Sequence, residues 1–128
     1  MRDLVVHLHL FFNKIEMIKP YLEPREPYPA KEFIQSSKER LSIDVAIDCI
    51  DCGACLSACS SAWTNPSYIG PAALVKAACF LADSRDTAKL ERLRIAGSED
   101  GIWRCHTIFN CADACPKSID PPHISYNT

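Results

Sequence analysis

Apolar residues in DLVVHLHLFFNKIEMIK recur at positions 4, 5, 8, 11, 12, 15 and 18, a spacing that predicts a helix with one apolar stripe through about residue 19. His7 and His9 fall on or beside that stripe, with no partner nearby in sequence to make them ligands. The pattern then stops. KPYLEPREPYP places proline at 20, 24, 27 and 29. Proline lacks an N–H and locks φ, so this stretch can neither continue a helix nor enter a central strand. It reads as an extended connector over the surface. AKEFIQSSKERLS then predicts a short helix. Further on, Pro71 suits a first helical turn, and Ala72 to Ala82 is strongly helix-favouring. Thr87 reads as the cap of a second helix, AKLERLRIA, with Leu90 at a staple position and Gly97 as its stop. Asp120, before two prolines, is placed to cap a last turn. The fold class is mainly α. Its organisation is an N-terminal helix and proline-rich connector over residues 1–40, then a helical domain over residues 41–128.

Composition narrows the class. The 128 residues are 48% apolar and 23% charged, which is a globular balance. A net charge of -2 gives no reason to expect nucleic acid as a partner. No run approaches the roughly 18 consecutive apolar residues of a membrane span. The first residues are not laid out as a secretory signal either, since Asp3 and His7 interrupt them.

Eight cysteines change the picture, because seven of them lie in two short runs. A secreted disulfide scaffold fits poorly with clustered thiols and no export signal. The first run, CIDCGACLSAC, holds Cys49, Cys52, Cys55 and Cys59 at the full C-x2-C-x2-C-x3-C spacing of bacterial ferredoxins. The second, RCHTIFNCADACP, repeats it 56 residues later: Cys105, Cys111 and Cys115 match, and Ile108 stands where Cys52 would map. Three thiolates on a tight loop each reach a different iron of one cubane. Small residues, Gly53 and Ala54, let the backbone wrap closely. In two-cluster ferredoxins the last cysteine of each run ligates the other cluster. That crossover assigns Cys49, Cys52, Cys55 and Cys115 to a [4Fe–4S] cluster. Cys59, Cys105 and Cys111 remain for a second cluster with no thiolate at the Ile108 corner, for which [3Fe–4S] is expected. Zinc is the competing metal, but structural zinc sites use paired knuckles, and seven thiolates do not divide into closed tetrahedra. Cys79, in LVKAACFLA, reads as a small buried hydrophobe.

CIDCGACLSAC, NPSYIGPAAL, FLADSRD, RCHTIFNC and CPKSIDP occur in an order that resembles the iron–sulfur subunit of succinate dehydrogenase and its relative fumarate reductase. FLADSRD and RCHTIFN have no role in generic ferredoxins, which makes the resemblance specific. It implies the C-terminal, ferredoxin-like half of that subunit, with the same division of cysteines. It implies a quinone acceptor beside the [3Fe–4S] cluster, with His106, Ile108, Ser60 and Trp63 lining its pocket. It also implies a [2Fe–2S] cluster on an N-terminal half, carried on a separate chain or in a segment outside these residues. A flavoprotein subunit bearing FAD and membrane anchor subunits would be partners. The complex would lie peripherally on the inner membrane, at the cytoplasmic face in bacteria or the matrix face in mitochondria. The sequence departs from the family pattern at Ser60, where proline is usual, and in AWTN, which carries one tryptophan where ubiquinone-type members have two.

The expected function is therefore electron transfer in succinate:quinone oxidoreductase, with no succinate site on this chain. The alternatives are fumarate reductase running in reverse, a soluble ferredoxin-like carrier, or a zinc-stabilised interaction module. The amphipathic N-terminus and long connector weigh against a diffusing carrier.

Overall fold

A computed structural model describes residues 6–126. The helices are α1 (His9–Glu16), α2 (Ser37–Ile47), α3 (Ala54–Ser57), α4 (Ser60–Thr64), α5 (Pro71–Ala82), α6 (Lys89–Ala96), α7 (Asn110–Asp113) and α8 (Pro121–Tyr126), with a 3-10 turn at Ile102–Arg104. Among the described residues there is no strand, only an isolated bridge between Pro24 and Asp86. The mainly α expectation holds.

Helix α5 is the centre. Pro71 starts it, and eight of its residues are buried, among them Ala72, Ala73, Ala77 and Ala78. Small side chains let α1, α2, α3, α6 and α8 all pack against it. Gly70 precedes it at φ 88°, and a Cβ there would meet Leu56 Cδ1 at 2.6 Å. Only glycine fits that approach. Three apolar clusters surround α5, built on Ile18 and Tyr68, on Ile43 and Val75, and on Phe11 and Ile15. Each borders cysteines: Cys59 and Cys105, then Cys49 and Cys115, then Cys55. Cys79 is buried in the second cluster, as its sequence context predicts.

The N-terminal stripe forms α1, with Phe11, Ile15 and Ile18 buried. Its positions Leu4 and Val5 lie outside the described residues. Helix α2 begins in a full capping box, Ser36 with Glu39, and runs on through residue 40. Asp120 caps α8, accepting the His123 N–H at 3.0 Å.

Thr87 does not cap α6. Its hydroxyl donates instead to the Glu23 carbonyl at 2.7 Å, and the cap position falls to Ala88, whose N–H donates to Asp86 Oδ1 at 2.9 Å. Leu90 is exposed and forms no staple. The reason is a latch between the connector and the helical pair. Arg92, with 0% exposure, donates to the carbonyls of Ile18, Lys19 and Tyr21. It pairs with buried Asp86 and lies 4.7 Å from the centre of the Phe80 ring. Asp86 also accepts the Glu23 N–H at 3.1 Å. A buried guanidinium is tolerated only when its donors are filled, and here they hold the connector down. FLADSRD supplies Phe80, Asp83, Arg85 and Asp86 to this region, so that motif is structural.

Candidate metal centre

The internal repeat extends to the backbone. Asp51 and Gly53 have φ of 53° and 75°, and their 56-residue counterparts Thr107 and Phe109 have 49° and 67°. Gly53 and Phe109 each precede a four-residue helix, α3 and α7. The turn hydrogen bonds also match. Leu56 and Ser57 donate to the Gly53 carbonyl at 3.1 and 3.0 Å; Ala112 and Asp113 donate to that of Phe109 at 2.8 and 3.1 Å. The two runs therefore build the same loop. The second does so with threonine and phenylalanine in the left-handed region, at about 1–2 kcal/mol each.

The loops pack face to face through α3 and α7, and the cysteines wall two hollows. Cys49, Cys52, Cys55 and Cys115 line one of them, with Gly53 and Ala72. Cys59, Cys105 and Cys111 line the other, with Pro71 and Leu74. Each hollow thus takes its last cysteine from the opposite run. Neighbouring residues of α5, Pro71 and Ala72, face different hollows, so one helix separates them.

The thiols interact within these groups and, between Cys55 and Cys111, across them. Burial raises the Cys55 thiol to about 12, with Cys49, Cys111 and Cys52 adding to the rise. Burial raises Cys111 to about 11, helped by Cys59 and Cys105. Cys49 is raised for the same first reason. Without a metal these thiols hold their protons, so iron binding must release them.

The donor set fits iron–sulfur clusters. All eight cysteines are free. Among the described residues no three His, Cys, Asp or Glu side chains converge on a single-ion site. The thiols are instead spread round cavity walls, as one thiolate per iron requires. One backbone donor is already aimed at sulfur: Ile119 N–H reaches Cys115 Sγ at 3.4 Å. Ser125 Oγ is buried without a hydrogen-bond partner on the wall of the second hollow.

His106, Ile108 and Ser60 border the second hollow. Ile108 is 53% exposed, so its corner of the loop opens outward. Trp63 is not among them. It is 72% exposed and borders a separate groove with Leu10, Phe11 and Ala62. Cysteine spacing alone does not single out Asp51, Lys76, Tyr68, Tyr126 or Phe109. Lys76 Nζ lies 3.1 Å from Asp51, whose other oxygen accepts from Cys49 Sγ at 3.4 Å. Tyr68 and Tyr126 line the second hollow. Phe109 is traceable in the sequence only as the residue 56 places after Gly53.

The chain is 42% identical over 94% of its length to the succinate dehydrogenase iron-sulfur subunit of Coxiella burnetii, covering 52% of that protein. It is 42% identical over 94% to the mitochondrial succinate dehydrogenase [ubiquinone] iron-sulfur subunit 1 of Oryza sativa subsp. japonica, covering 44% of it. It is 41% identical over 94% to the succinate dehydrogenase iron-sulfur subunit of Paracoccus denitrificans, covering 47%. The chain spans about half the length of these curated relatives. The 4Fe-4S dicluster domain family matches residues 45–119, a span that holds both cysteine runs and the helical pair between them. Twin loops around two thiol-walled hollows are what that description requires, and the chain belongs to the 4Fe-4S dicluster domain family.

Proposed function

We propose that this chain is the ferredoxin-like half of an iron–sulfur subunit that carries electrons to quinone in a membrane-bound succinate:quinone oxidoreductase. The observation that carries the proposal is the crossover, with Cys115 completing the wall of the first hollow and Cys59 that of the second. Likeness to succinate dehydrogenase iron-sulfur subunits along 94% of the chain supports it. On this reading residues 1–40 are a helix and connector, and residues 41–128 the cluster-binding domain. Cys49, Cys52, Cys55 and Cys115 hold [4Fe–4S]. Cys59, Cys105 and Cys111 hold [3Fe–4S], with Ile108 at the corner that lacks a thiolate.

When bound, these clusters supply one-electron relays between a flavoprotein partner, reached through a [2Fe–2S] centre on the N-terminal half, and a quinone held against membrane anchor subunits. The chain's own residues hold and insulate them. Helix α5 separates the two hollows with apolar side chains and keeps them one helix apart. His106, exposed at the rim, donates a hydrogen bond or proton to a quinone oxygen. Ile108 gives the quinone ring an apolar wall and Ser60 a hydroxyl. Trp63 lies three residues along α4 from Ser60, on the neighbouring groove. It meets whatever part of the quinone extends past the hollow. No helix among the described residues is long and apolar enough to cross a membrane. A peripheral position on the inner membrane, at the cytoplasmic or matrix face, suits a chain that reaches quinone through anchor subunits.

The test is EPR of the air-oxidised protein, purified with its partners, beside iron and zinc counts. An oxidised signal near the free-electron position, with about nine irons per complex, seven from the 3 + 4 division on this chain and two from the [2Fe–2S] centre of the N-terminal half, supports the proposal. Stoichiometric zinc with no signal overturns it. Ile108→Cys then allows a fourth iron at the second site, with loss of the oxidised signal, a lower potential and slower quinone reduction. An unchanged signal and potential would mean that residue 108 does not set the iron count.

A further inference from the structure

Cys49 and Cys105 open their loops at matching positions, yet they keep different company. Cys49 faces the Asp51 carboxylate at 3.4 Å, and Lys76 sits 3.1 Å beyond. The residues lining the hollow of Cys105 include no Asp, Glu, Lys or Arg. Two phenols take that place. Tyr68 and Tyr126 both line the hollow with Cys105, and Cys105 packs against the core cluster that holds Tyr68.

Tyr68 is held firmly for this role. It is 1% exposed, inside the core cluster that packs on Cys59 and Cys105. Its N–H donates to the Asn65 carbonyl at 3.2 Å, and its own carbonyl accepts from the Lys14 ammonium. Backbone and ring are therefore fixed, and only the hydroxyl still needs a partner. A buried phenol usually finds one. Tyr126, the last residue of α8, lines the same hollow from the surface side and is about half exposed.

We propose that Tyr68, with Tyr126 in support, donates to the Cys105 thiolate and thereby raises the reduction potential of the cluster in the second hollow. The inference rests on the cluster assignment given above. Hydrogen bonds to sulfur, net charge and exposure set a cluster's potential. A donor stabilises the reduced, more negative state more than the oxidised one. A carboxylate two residues from Cys49 acts in the opposite sense, and Lys76 offsets part of it. The two loops thus share a backbone and differ in what touches the first sulfur. That difference makes the second hollow the downhill end of the relay. Both tyrosines are positioning residues, acting through Cys105.

The experiment is a potentiometric titration of the oxidised three-iron EPR signal in the purified complex, with iron counted in each sample. Tyr68→Phe keeps the ring and removes the donor. It is expected to shift the one-electron equilibrium about tenfold toward the oxidised cluster, a midpoint lower by about 59 mV, with iron content unchanged. Tyr126→Phe gives a smaller shift in the same direction. If Tyr68→Phe cannot hold iron, Tyr126→Phe decides, because it leaves the buried core intact. A full signal with an unmoved midpoint in the deciding variant overturns the tyrosine role alone. No oxidised three-iron signal in the unaltered protein overturns the cluster assignment, and this inference with it.

Discussion

The first cysteine loop has a glycine where its backbone turns left-handed, and the second has a phenylalanine. Gly53 at φ 75° costs nothing special; Phe109 at 67° carries strain, as does Thr107 at 49°. Yet the hydrogen bonds of the two turns agree to within a few tenths of an ångström. The shape of the loop is therefore held by its surroundings, by α3 against α7 and by the apolar clusters behind them, rather than by local preference. The ligand count is set separately. The position between the strained pair can change from Cys52 to Ile108 while the loop keeps its course.

The largest way to break this comparison is to remove one crossing cysteine from each run. Cys115→Ser is expected to abolish the four-iron cluster and keep the oxidised three-iron EPR signal. Cys59→Ser is expected to do the reverse. Loss of both signals in both variants would mean that the two sites assemble as one unit. Next comes a change that treats the loops alike. Arg92→Ala leaves Asp86 buried and unpaired and releases the connector, at about 3–5 kcal/mol. Urea unfolding of the loaded protein should show it as a lower midpoint, with both cluster signals lost together.

Smaller effects sharpen the contrast. Gly53→Ala puts into the first loop a backbone strain like that the second already carries, and should cost about 1–2 kcal/mol by thermal unfolding. A Cβ at residue 53 meets only Leu8 and Phe11 at ordinary contact distance, 3.6 and 3.8 Å, so backbone strain is the main term. Phe109→Gly relieves the same strain but loosens the unfolded chain and removes a ring that is 47% exposed, so it should bring no net gain in thermal unfolding. Equal effects at the two sites would argue that surroundings do not compensate for Phe109. The smallest effect is acid sensitivity at the end of α5. Arg85 hydrogen-bonds the Asp83 carboxyl and holds it below the usual carboxylate range. A carboxyl lowered on folding stabilises above its unfolded pKa, near 3.9, and that contribution fades as pH falls through the folded value. Asp83→Asn should therefore destabilise at neutral pH, and its penalty should shrink below about pH 4.

Much of this was readable in the residues. Cysteine spacing, one shared offset and the alanine-rich stretch after Pro71 were sufficient for the repeat and the central helix, because both depend on local pattern. Thr87 was misread because its hydroxyl is used across the fold, by Glu23, rather than on its own helix. The latch made by Arg92 was invisible for the same reason: its partners Ile18, Lys19 and Tyr21 are more than 70 residues away in sequence. FLADSRD could be recognised as a motif, but its work in holding down the connector could not. The left-handed turn at Phe109 has no sequence sign of its own. Trp63, grouped with His106, Ile108 and Ser60 on resemblance, borders a different groove.

The exchange of Cys59 and Cys115 between the two hollows has a consequence for how the protein is made. A nascent chain that has emerged only as far as α5 or α6 offers the first hollow three thiols and the second hollow one. The second wall gains its last thiol at residue 111 and the first at residue 115, and neither closes until α7 has met α3. Loading therefore follows the synthesis of the second run. A product truncated between the two runs would have no completed site to fill, and its unclaimed thiols would be open to oxidation.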